Sequence, residues 1–287
     1  MKVDLHIHSI FSDGHFTPEK IVDVAVECGL SAISITDHDN IIAYEVANAH
    51  IEENYKGTEK NIELIPGVEV NTLLDGKEVH ILGYYFDLKS KSLQDLIKYQ
   101  QHARVEQAVK IIEQLKKRAG IDIDFDQVKA LVAQGGSIGR PHIAKAIVNK
   151  GGTRTVTDAF NKYICDNSPV YVKRKTVSPY EAVEVIYESG GIPVLAHPCD
   201  MESAESLIKD LMSCGLRGIE VYHKKHTPAI IEYYSNMAEE LDLTVTGGSD
   251  FHAPYSNGII AIGKTFMPPW ILDRLKNEKG RMAIAKA

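Results

Sequence analysis

The feature that most constrains this chain is an apolar strand near its start in which every second residue is polar. In the run Asp4-Leu5-His6-Ile7-His8, successive side chains of a β-strand point to opposite faces, so His6 and His8 share one face. The strand rise places their Cα atoms roughly 6.5 to 7 Å apart, and one divalent ion fits between two imidazoles at that spacing. Asp13 follows in a loop that Gly14 allows to turn sharply, so its carboxylate can return to the strand end. Taken alone, a His-x-His pattern more often marks a buried strand whose histidines are satisfied in the core.

Composition narrows the class of protein. At 287 residues, with 44% hydrophobic and 25% charged residues, the chain suits one large α/β domain with an insertion. A net charge of -7 argues against a broad electrostatic surface for long duplex nucleic acid. No run approaches 18 apolar residues, which excludes a membrane-spanning helix. The four cysteines lack Cys-x-x-Cys spacing and no secretory signal precedes them, so we expect reduced thiols and a cytoplasmic location.

Short apolar strands alternate with helices along most of the chain. Strands are predicted near residues 2, 32, 62, 78, 192, 218 and 244, and Thr17-Pro18 and Ser178-Pro179 have the form of helix starts. Seven strands predict an irregular (β/α)7 barrel, one strand fewer than the common eight-stranded form. We expect the barrel to comprise residues 1–87 and 176–287, with a mostly helical insertion over residues 88–175 that covers the mouth of the active site.

Polar residues follow the ends of these strands, where α/β folds place their chemistry. Nine candidate metal ligands share this placement: His6, His8, Asp13, His38, Glu69, His80, His197, Asp250 and His252. Nitrogen and oxygen ligands without cysteine suit Mn, Fe or Zn at a centre of two or three ions open to substrate, whereas a structural zinc site closes four ligands and favours thiolates. Considered singly, several have simpler interpretations: His38 as a loop residue, Glu69 as an exposed rim residue and His80 as core. The remaining histidines lack this placement and are expected on the surface or on helices: His15, His50, His102 and His226.

Two basic segments of the insertion are candidates for binding an anion. Gly139-Arg140-Pro141-His142 leads from a glycine-rich loop into a helix, and the free N–H groups of a helix start favour the same negative charge as a guanidinium. The alternative is a solvated helix cap. Lys173-Arg174-Lys175 closes the insertion, and a run of this kind is more often a solvated face than a site.

Taken together, the motifs resemble those of the PHP (polymerase and histidinol phosphatase) family, in the family's order. They are Asp4-Leu5-His6-Ile7-His8-Ser9 with Ser12-Asp13-Gly14, Thr36-Asp37-His38-Asp39, Pro66-Gly67-Val68-Glu69, Ala196-His197-Pro198 and Ser249-Asp250-Phe251-His252. The resemblance spans nearly the whole chain outside the insertion. It implies a distorted (β/α)7 barrel that hydrolyses phosphoesters with three metal ions.

The resemblance also implies a role for each ligand. His6, His8, Glu69 and Asp250 would hold one ion. Glu69 would bridge to a second ion held by His80 and His197, and Asp13, His38 and His252 would hold a third. Clustered cations lower the pKa of water, so hydroxide becomes available near neutral pH to attack phosphorus in line with the leaving oxygen. Glu69 and Asp250 are therefore the expected catalytic carboxylates, and His223 could protonate the leaving alkoxide or bind substrate.

The insertion further resembles the branch that dephosphorylates 3′,5′-nucleoside bisphosphates and trims short RNA from its 5′ end. On this resemblance Arg140, His142 and Arg174 are the expected substrate-binding residues, and the partner is a small phosphorylated nucleotide or a short oligonucleotide. Three alternatives stay open: a histidinol-phosphate phosphatase, a non-catalytic metal-binding PHP module, and an amidohydrolase barrel, whose metals are normally bridged by a carboxylated lysine.

Overall fold

The computed structural model describes residues 2–165, 168–201 and 203–285. In this part of the chain there are eight β-strands. They are β1 (Val3–Ile7), β2 (Ala32–Ile35), β3 (Glu63–Leu64), β4 (Gly67–Leu74), β5 (Lys77–Tyr84), β6 (Ile192–Leu195), β7 (Gly218–His223) and β8 (Thr244–Gly248).

The predicted count of seven strands is wrong because the strand expected near residue 62 is two strands. Ile65 N donates to Ile33 O, whereas Pro66 O accepts from Tyr85 N, so the chain changes its partner strand at this point. Pro66 has no amide hydrogen and cannot donate to a continuing ladder, which explains why the break falls there. β3 therefore pairs with β2, and β4 pairs with β5.

The strands form two sheets and not the single closed sheet of the predicted (β/α)7 barrel. The three-stranded sheet has the order β1-β2-β3, all parallel, and the five-stranded sheet has the order β4-β5-β6-β7-β8. Within the larger sheet β5 runs antiparallel to both neighbours, because the Asp75-Gly76 turn joins it to β4 as a hairpin. Among the described residues, two isolated bridges connect the sheets, Ile7 with Phe251 and His38 with Glu69. Both bridges lie at strand ends that carry candidate ligands.

Helices cover the sheets and build the insertion. They are α1 (Pro18–Glu27), α2 (Ile42–Asn54), α3 (Lys91–Gln114), α4 (Phe125–Lys129), α5 (Arg140–Asn149), α6 (Val156–Ala159), α7 (Pro179–Glu188), α8 (Ala204–Met212), α9 (Pro228–Glu240) and α10 (Ile271–Ala285). The predicted helix starts are present: Thr17 Oγ1 accepts from Lys20 N, and Ser178 forms a capping box with Glu181. None of the helices in the described ranges is long and apolar enough to cross a membrane.

The helical segment between β5 and α7 packs around a core of its own. α3 continues into a π-helical turn, Leu115–Ala119, and ends at Gly120, whose φ of 67° a side chain would disfavour. A buried apolar cluster then joins the end of α3 to α4, α5 and a second π-helical turn, Phe160–Ile164. Leu115, Ile143, Ile147 and Ile164 are among its fully or almost fully buried members. The later part of this segment therefore has a buried core separate from those of the sheets.

Candidate functional site

The structure brings all nine candidate ligands together at one end of the two sheets. They come from strand ends and from the turns that follow, and we call them the histidine–carboxylate cluster: His6, His8, Asp13, His38, Glu69, His80, His197, Asp250 and His252. Because the strand backbones are hydrogen-bonded to their neighbours, each side chain starts from a fixed position. The sequence pattern of polar residues after apolar strands therefore corresponds to one contiguous group in space.

Glu69 lies at the centre of the cluster. One carboxylate oxygen, Oε1, is 2.8 Å from His80 Nδ1 and 3.1 Å from His197 Nε2. The other, Oε2, is 3.0, 3.2 and 3.3 Å from imidazole nitrogens of His38, His8 and His6, respectively. Burial raises the pKa of Glu69, but the surrounding histidines outweigh burial and hold that pKa well below its usual range. Glu69 is thus an ionised carboxylate whose two oxygens face two different sets of histidines.

Asp250 and Asp13 complete the negative charge of the cluster. Asp250 Oδ1 lies 3.3 Å from both His8 Nε2 and His252 Nδ1 and 3.6 Å from His6 Nε2. Asp13 Oδ1 lies 3.4 Å from His252 Nε2, and Asp13 Oδ2 lies 3.9 Å from His38 Nε2. A side chain at Gly14 would place its Cβ 2.3 Å from the His8 carbonyl oxygen, so only glycine lets this loop fold back.

The donor set fits divalent metal ions. His6 Nε2 and His8 Nε2 are only 3.1 Å apart, and the close contacts of two buried atoms, His38 Nδ1 with Glu69 and Asp13 Oδ1 with His252, lack the geometry of hydrogen bonds. Burial lowers the pKa of His8, but hydrogen bonds with Asp250 and Glu69 outweigh it and raise that pKa to about 9. The carboxylates therefore attract positive charge into the centre. Three groups of side chains bring ligand atoms within 4.8 Å of one another: His8 with Asp13, His38 and His252; His6 with His8 and Asp250; and His38 with Glu69 and His80.

Sequence reasoning missed Glu220, a buried carboxylate on β7. Glu220 Oε1 lies 2.8 Å from His6 Nδ1, and Glu220 Oε2 accepts from the backbone N–H of His197 at 2.8 Å. Burial raises the pKa of Glu220, but the neighbouring His6 outweighs it and lowers that pKa to about 2. The signal was available, because Glu220 stands between Ile219 and Val221 in an apolar strand where an unpartnered acid would be costly.

A cavity of about 150 Å³ adjoins the cluster on the side of the insertion. We call it the arginine cavity because three guanidinium groups line it, those of Arg104, Arg140 and Arg174. Cluster members Asp13, His38 and His80 line it as well. A second cavity of about 340 Å³ lies over the cluster and shares its His38 and His80 walls, so the two spaces are neighbours.

Each guanidinium of the arginine cavity is paired with a carboxylate. Arg140 Nη2 donates to both oxygens of Glu78 at 3.0 Å. Asp39 Oδ2 lies 2.6 Å from Arg104 Nε and 3.3 Å from Arg174 Nη1. Sequence reasoning gave Arg104 no role, although a charged residue on the buried stripe of α3 is a signal that its partner lies inside.

His142 is placed differently from the two arginines predicted with it. Its Nδ1 accepts from the backbone N–H of Gly139 at 3.0 Å, and its side chain is absent from the linings of both cavities described above. Burial lowers the pKa of His142, which favours the neutral ring that this hydrogen bond requires. The geometry matches the helix cap that was the alternative interpretation of this motif.

Two further histidines lie at or just beyond the end of β7. His223 is buried, and its Nε2 lies 3.4 Å from Asp250 Oδ2. His223 lines neither of the two cavities described above. His226, which was expected on the surface or on a helix, is buried, and its Nδ1 donates to Val221 O at 2.7 Å. His226 follows the end of β7 in a turn that folds back on the strand. The sequence pattern did not reveal this turn.

Known proteins are similar to this chain in sequence and in fold. The PHP domain model matches residues 4–165. A 5′-3′ exoribonuclease of Haemophilus influenzae is 33% identical over 92% of this chain and 93% of its own length. A 3′,5′-nucleoside bisphosphate phosphatase of Chromobacterium violaceum is 30% identical over 89% of each chain.

A solved structure agrees with these relatives. The crystal structure of a protein from Bifidobacterium adolescentis, described as a metal-dependent phosphoesterase, superposes with a TM-score of 0.83 at 30% identity, covering 95% of this chain and 94% of the other. Sequence and fold therefore agree over nearly the full length. The chain belongs to the PHP domain family and is a hydrolase of phosphoester bonds.

Proposed function

We propose that this protein removes the 3′-phosphate from 3′,5′-nucleoside bisphosphates, and that it trims short RNA from the 5′ end as a second activity of the same site. The observation that carries this proposal is the position of the arginine cavity directly beside the histidine–carboxylate cluster, with His38 and His80 in both. A substrate with two phosphates has a use for both regions. A simple monophosphate would leave the arginine cavity without an anion.

The cluster is proposed to hold two or three divalent ions, of Mn, Fe or Zn. His6, His8, Glu69 and Asp250 would hold one, Glu69 with His80 and His197 a second, and Asp13, His38 and His252 a third. The contacts of the two Glu69 carboxylate oxygens support this assignment, because Oε1 faces His80 and His197 whereas Oε2 faces His6 and His8. When bound, such ions neutralise phosphoryl oxygens and make water a nucleophile near neutral pH.

The insertion supplies the second anion site in this proposal. Arg140 and Arg174 present guanidinium groups to the arginine cavity, and a planar guanidinium suits the oxygens of a phosphate. Burial and the nearby Arg104 lower the pKa of Arg174 to about 10, so Arg174 keeps its positive charge at neutral pH. The phosphate would replace Glu78 as the partner of Arg140. The insertion, residues 88–175, would then orient the nucleotide while the cluster holds the reacting phosphate.

We assign His223 a positioning role in place of the predicted leaving-group acid. His223 Nε2 lies 3.4 Å from Asp250 Oδ2, and Lys224 Nζ lies 3.0 Å from the same oxygen. These two contacts hold one oxygen of Asp250, so that Oδ1 faces His6, His8 and His252. Asp250 and Glu69 keep their proposed places as the carboxylates at the reacting centre.

Charge favours a short substrate over a long one. The chain carries a net charge of -7, and long duplexes need many phosphate contacts for affinity. The relatives named above act on a nucleoside bisphosphate and on RNA according to their names, which supports a small nucleotide or a short oligonucleotide. Histidinol phosphate is the alternative substrate, and a non-catalytic metal-binding module is the alternative outside catalysis.

The test is the catalytic efficiency of Mn-loaded protein on four compounds under one condition. They are 3′,5′-adenosine bisphosphate, 5′-AMP, histidinol phosphate and a 5′-phosphorylated dinucleotide. We expect the bisphosphate to be the best of the four and 5′-AMP to be poor. A clear preference for histidinol phosphate would contradict the proposal, and release of phosphate from none of the four by metal-loaded protein would favour the non-catalytic module.

A further inference from the structure

Glu220 joins two ligands of the cluster that come from different sheets. It lies on β7 with no exposed surface, and its Oε1 is 2.8 Å from the side chain of His6 on β1. Its Oε2 accepts at 2.8 Å from the backbone N–H of His197, just after β6. A single buried carboxylate therefore contacts both the three-stranded and the five-stranded sheet at the site.

The first contact decides which nitrogen of His6 carries the proton. An ionised carboxylate only accepts hydrogen bonds, so His6 Nδ1 donates to Glu220, and Nε2 is left as the nitrogen that can bind a metal ion. That Nε2 lies 3.1 Å from His8 Nε2 and 3.3 Å from Glu69 Oε2, which places it inside the cluster. The contact with Glu220 thus keeps His6 in the tautomer that can bind a metal ion.

The second contact holds a backbone conformation that the local sequence does not favour. His197 has a φ of 26° and a ψ of 59°, a region that residues other than glycine rarely occupy. Strain of this kind persists only where the surroundings impose it. The hydrogen bond from His197 N to Glu220 fixes the residue there, with His197 Nε2 3.1 Å from Glu69 Oε1.

The two contacts complete a closed circuit of interactions. Glu69 Oε2 faces His6, Glu69 Oε1 faces His197, and Glu220 contacts the same two histidines from outside the cluster. We propose that Glu220 is a positioning residue that orients His6 and His197 together, and so would set the relative placement of the two metal ions that Glu69 would bridge. This inference rests on the metal-ligand assignment made in the proposed function.

The test compares metal binding by three proteins. Glu220→Gln keeps the size of the side chain but replaces one accepting oxygen with an amide N–H₂, so it cannot accept from both His6 and His197. Thr246→Val is the matched control, because Thr246 is the cross-strand neighbour of Glu220 and is equally buried. We expect calorimetric titration of chelator-treated protein with Mn²⁺ to show a 10- to 100-fold loss of affinity in Glu220→Gln. Circular dichroism should stay unchanged, and Thr246→Val should bind as the wild type does.

A second measurement needs no Glu220 variant and so remains available if Glu220→Gln does not fold. In ¹⁵N-histidine-labelled, Zn²⁺-loaded wild-type protein, the His6 signals, identified by their loss in His6→Gln, should show the proton on Nδ1. Wild-type Mn²⁺ affinity in a folded Glu220→Gln, or a His6 proton on Nε2, would overturn the role of Glu220. If the wild-type protein itself binds no divalent ion, the metal-ligand assignment fails, and with it the metal-positioning role.

Discussion

The histidine–carboxylate cluster and the arginine cavity share lining residues, but the charged groups in the two regions are paired in opposite ways. In the cluster, Glu69 and Asp250 face imidazoles, and their hydrogen bonds raise the pKa of His8, so the carboxylates draw positive charge inward. In the arginine cavity, the cations are already satisfied: Arg140 by Glu78, and Arg104 and Arg174 by Asp39. The cluster is thus prepared for cations that would come from solution, whereas an anion entering the cavity must exchange with carboxylates of the protein.

Breaking the centre of the cluster should have the largest effect. Glu69→Gln removes the negative charge of a carboxylate whose two oxygens face different sets of histidines. We therefore expect the protein to lose more than one metal ion. We also expect kcat/KM to fall at least about 1,000-fold, or about 4 kcal/mol. Elemental analysis and phosphate release measure the two effects. Arg140→Ala is the control for metal content, because Arg140 contacts no cluster carboxylate in the contacts described above. A variant with a full metal complement and normal turnover would disprove a bridging role for Glu69.

Breaking the arginine cavity should leave the metals in place. Arg140→Ala removes one guanidinium, and hydrogen bonds to charged groups are worth about 1.5–3 kcal/mol, so we expect kcat/KM for 3′,5′-adenosine bisphosphate to fall about 10- to 100-fold. The efficiency on 5′-AMP should fall less, since it lacks the second phosphate. Steady-state kinetics on both substrates gives the comparison. An equal loss on both would show that Arg140 does not read the second phosphate.

His142 distinguishes a helix cap from an anion site. His142→Ala should lower the free energy of unfolding by about 1 kcal/mol through loss of the hydrogen bond with Gly139, a cost typical of a lost cap, and should leave the KM for the bisphosphate unchanged. Urea denaturation and kinetics check the two statements. His102→Ala is the control, because His102 is an exposed histidine on α3. A raised KM with unchanged stability would return His142 to the substrate-binding residues.

The smallest expected effect tests whether a phosphate replaces Glu78 as the partner of Arg140 in the arginine cavity. Glu78→Gln weakens the partner that holds Arg140, and partly exposed ion pairs are worth about 0.2–1 kcal/mol, so the KM for the bisphosphate should fall by up to about five-fold. Product inhibition by inorganic phosphate should strengthen in the same variant. A KM that rises would mean that Glu78 contacts the substrate itself and does not merely compete with it for Arg140.

Much of the cluster was accessible from sequence because its members follow local rules. Alternation in a strand placed His6 and His8 on one face, and polar residues after short apolar runs marked the ends of the other strands. These patterns indicated the family, which the domain match and the relatives confirm. The arginine cavity was less accessible, because Arg104 lies on α3, Arg140 begins α5 and Arg174 lies in the loop before α7, and no spacing connects them.

The sequence by itself determined most of the elements, the helix starts at Thr17 and Ser178, and the residues that strand ends carry, because these depend on side-chain period and on near neighbours. Tertiary structure alone decided that the strands form two sheets, that Glu220 meets both His6 and His197, and that Asp39 pairs with two arginines far along the chain. Such pairings depend on which strands and helices are adjacent in space. A buried charge finds its partner only when the fold closes around both, and no local pattern in the chain encodes that distance.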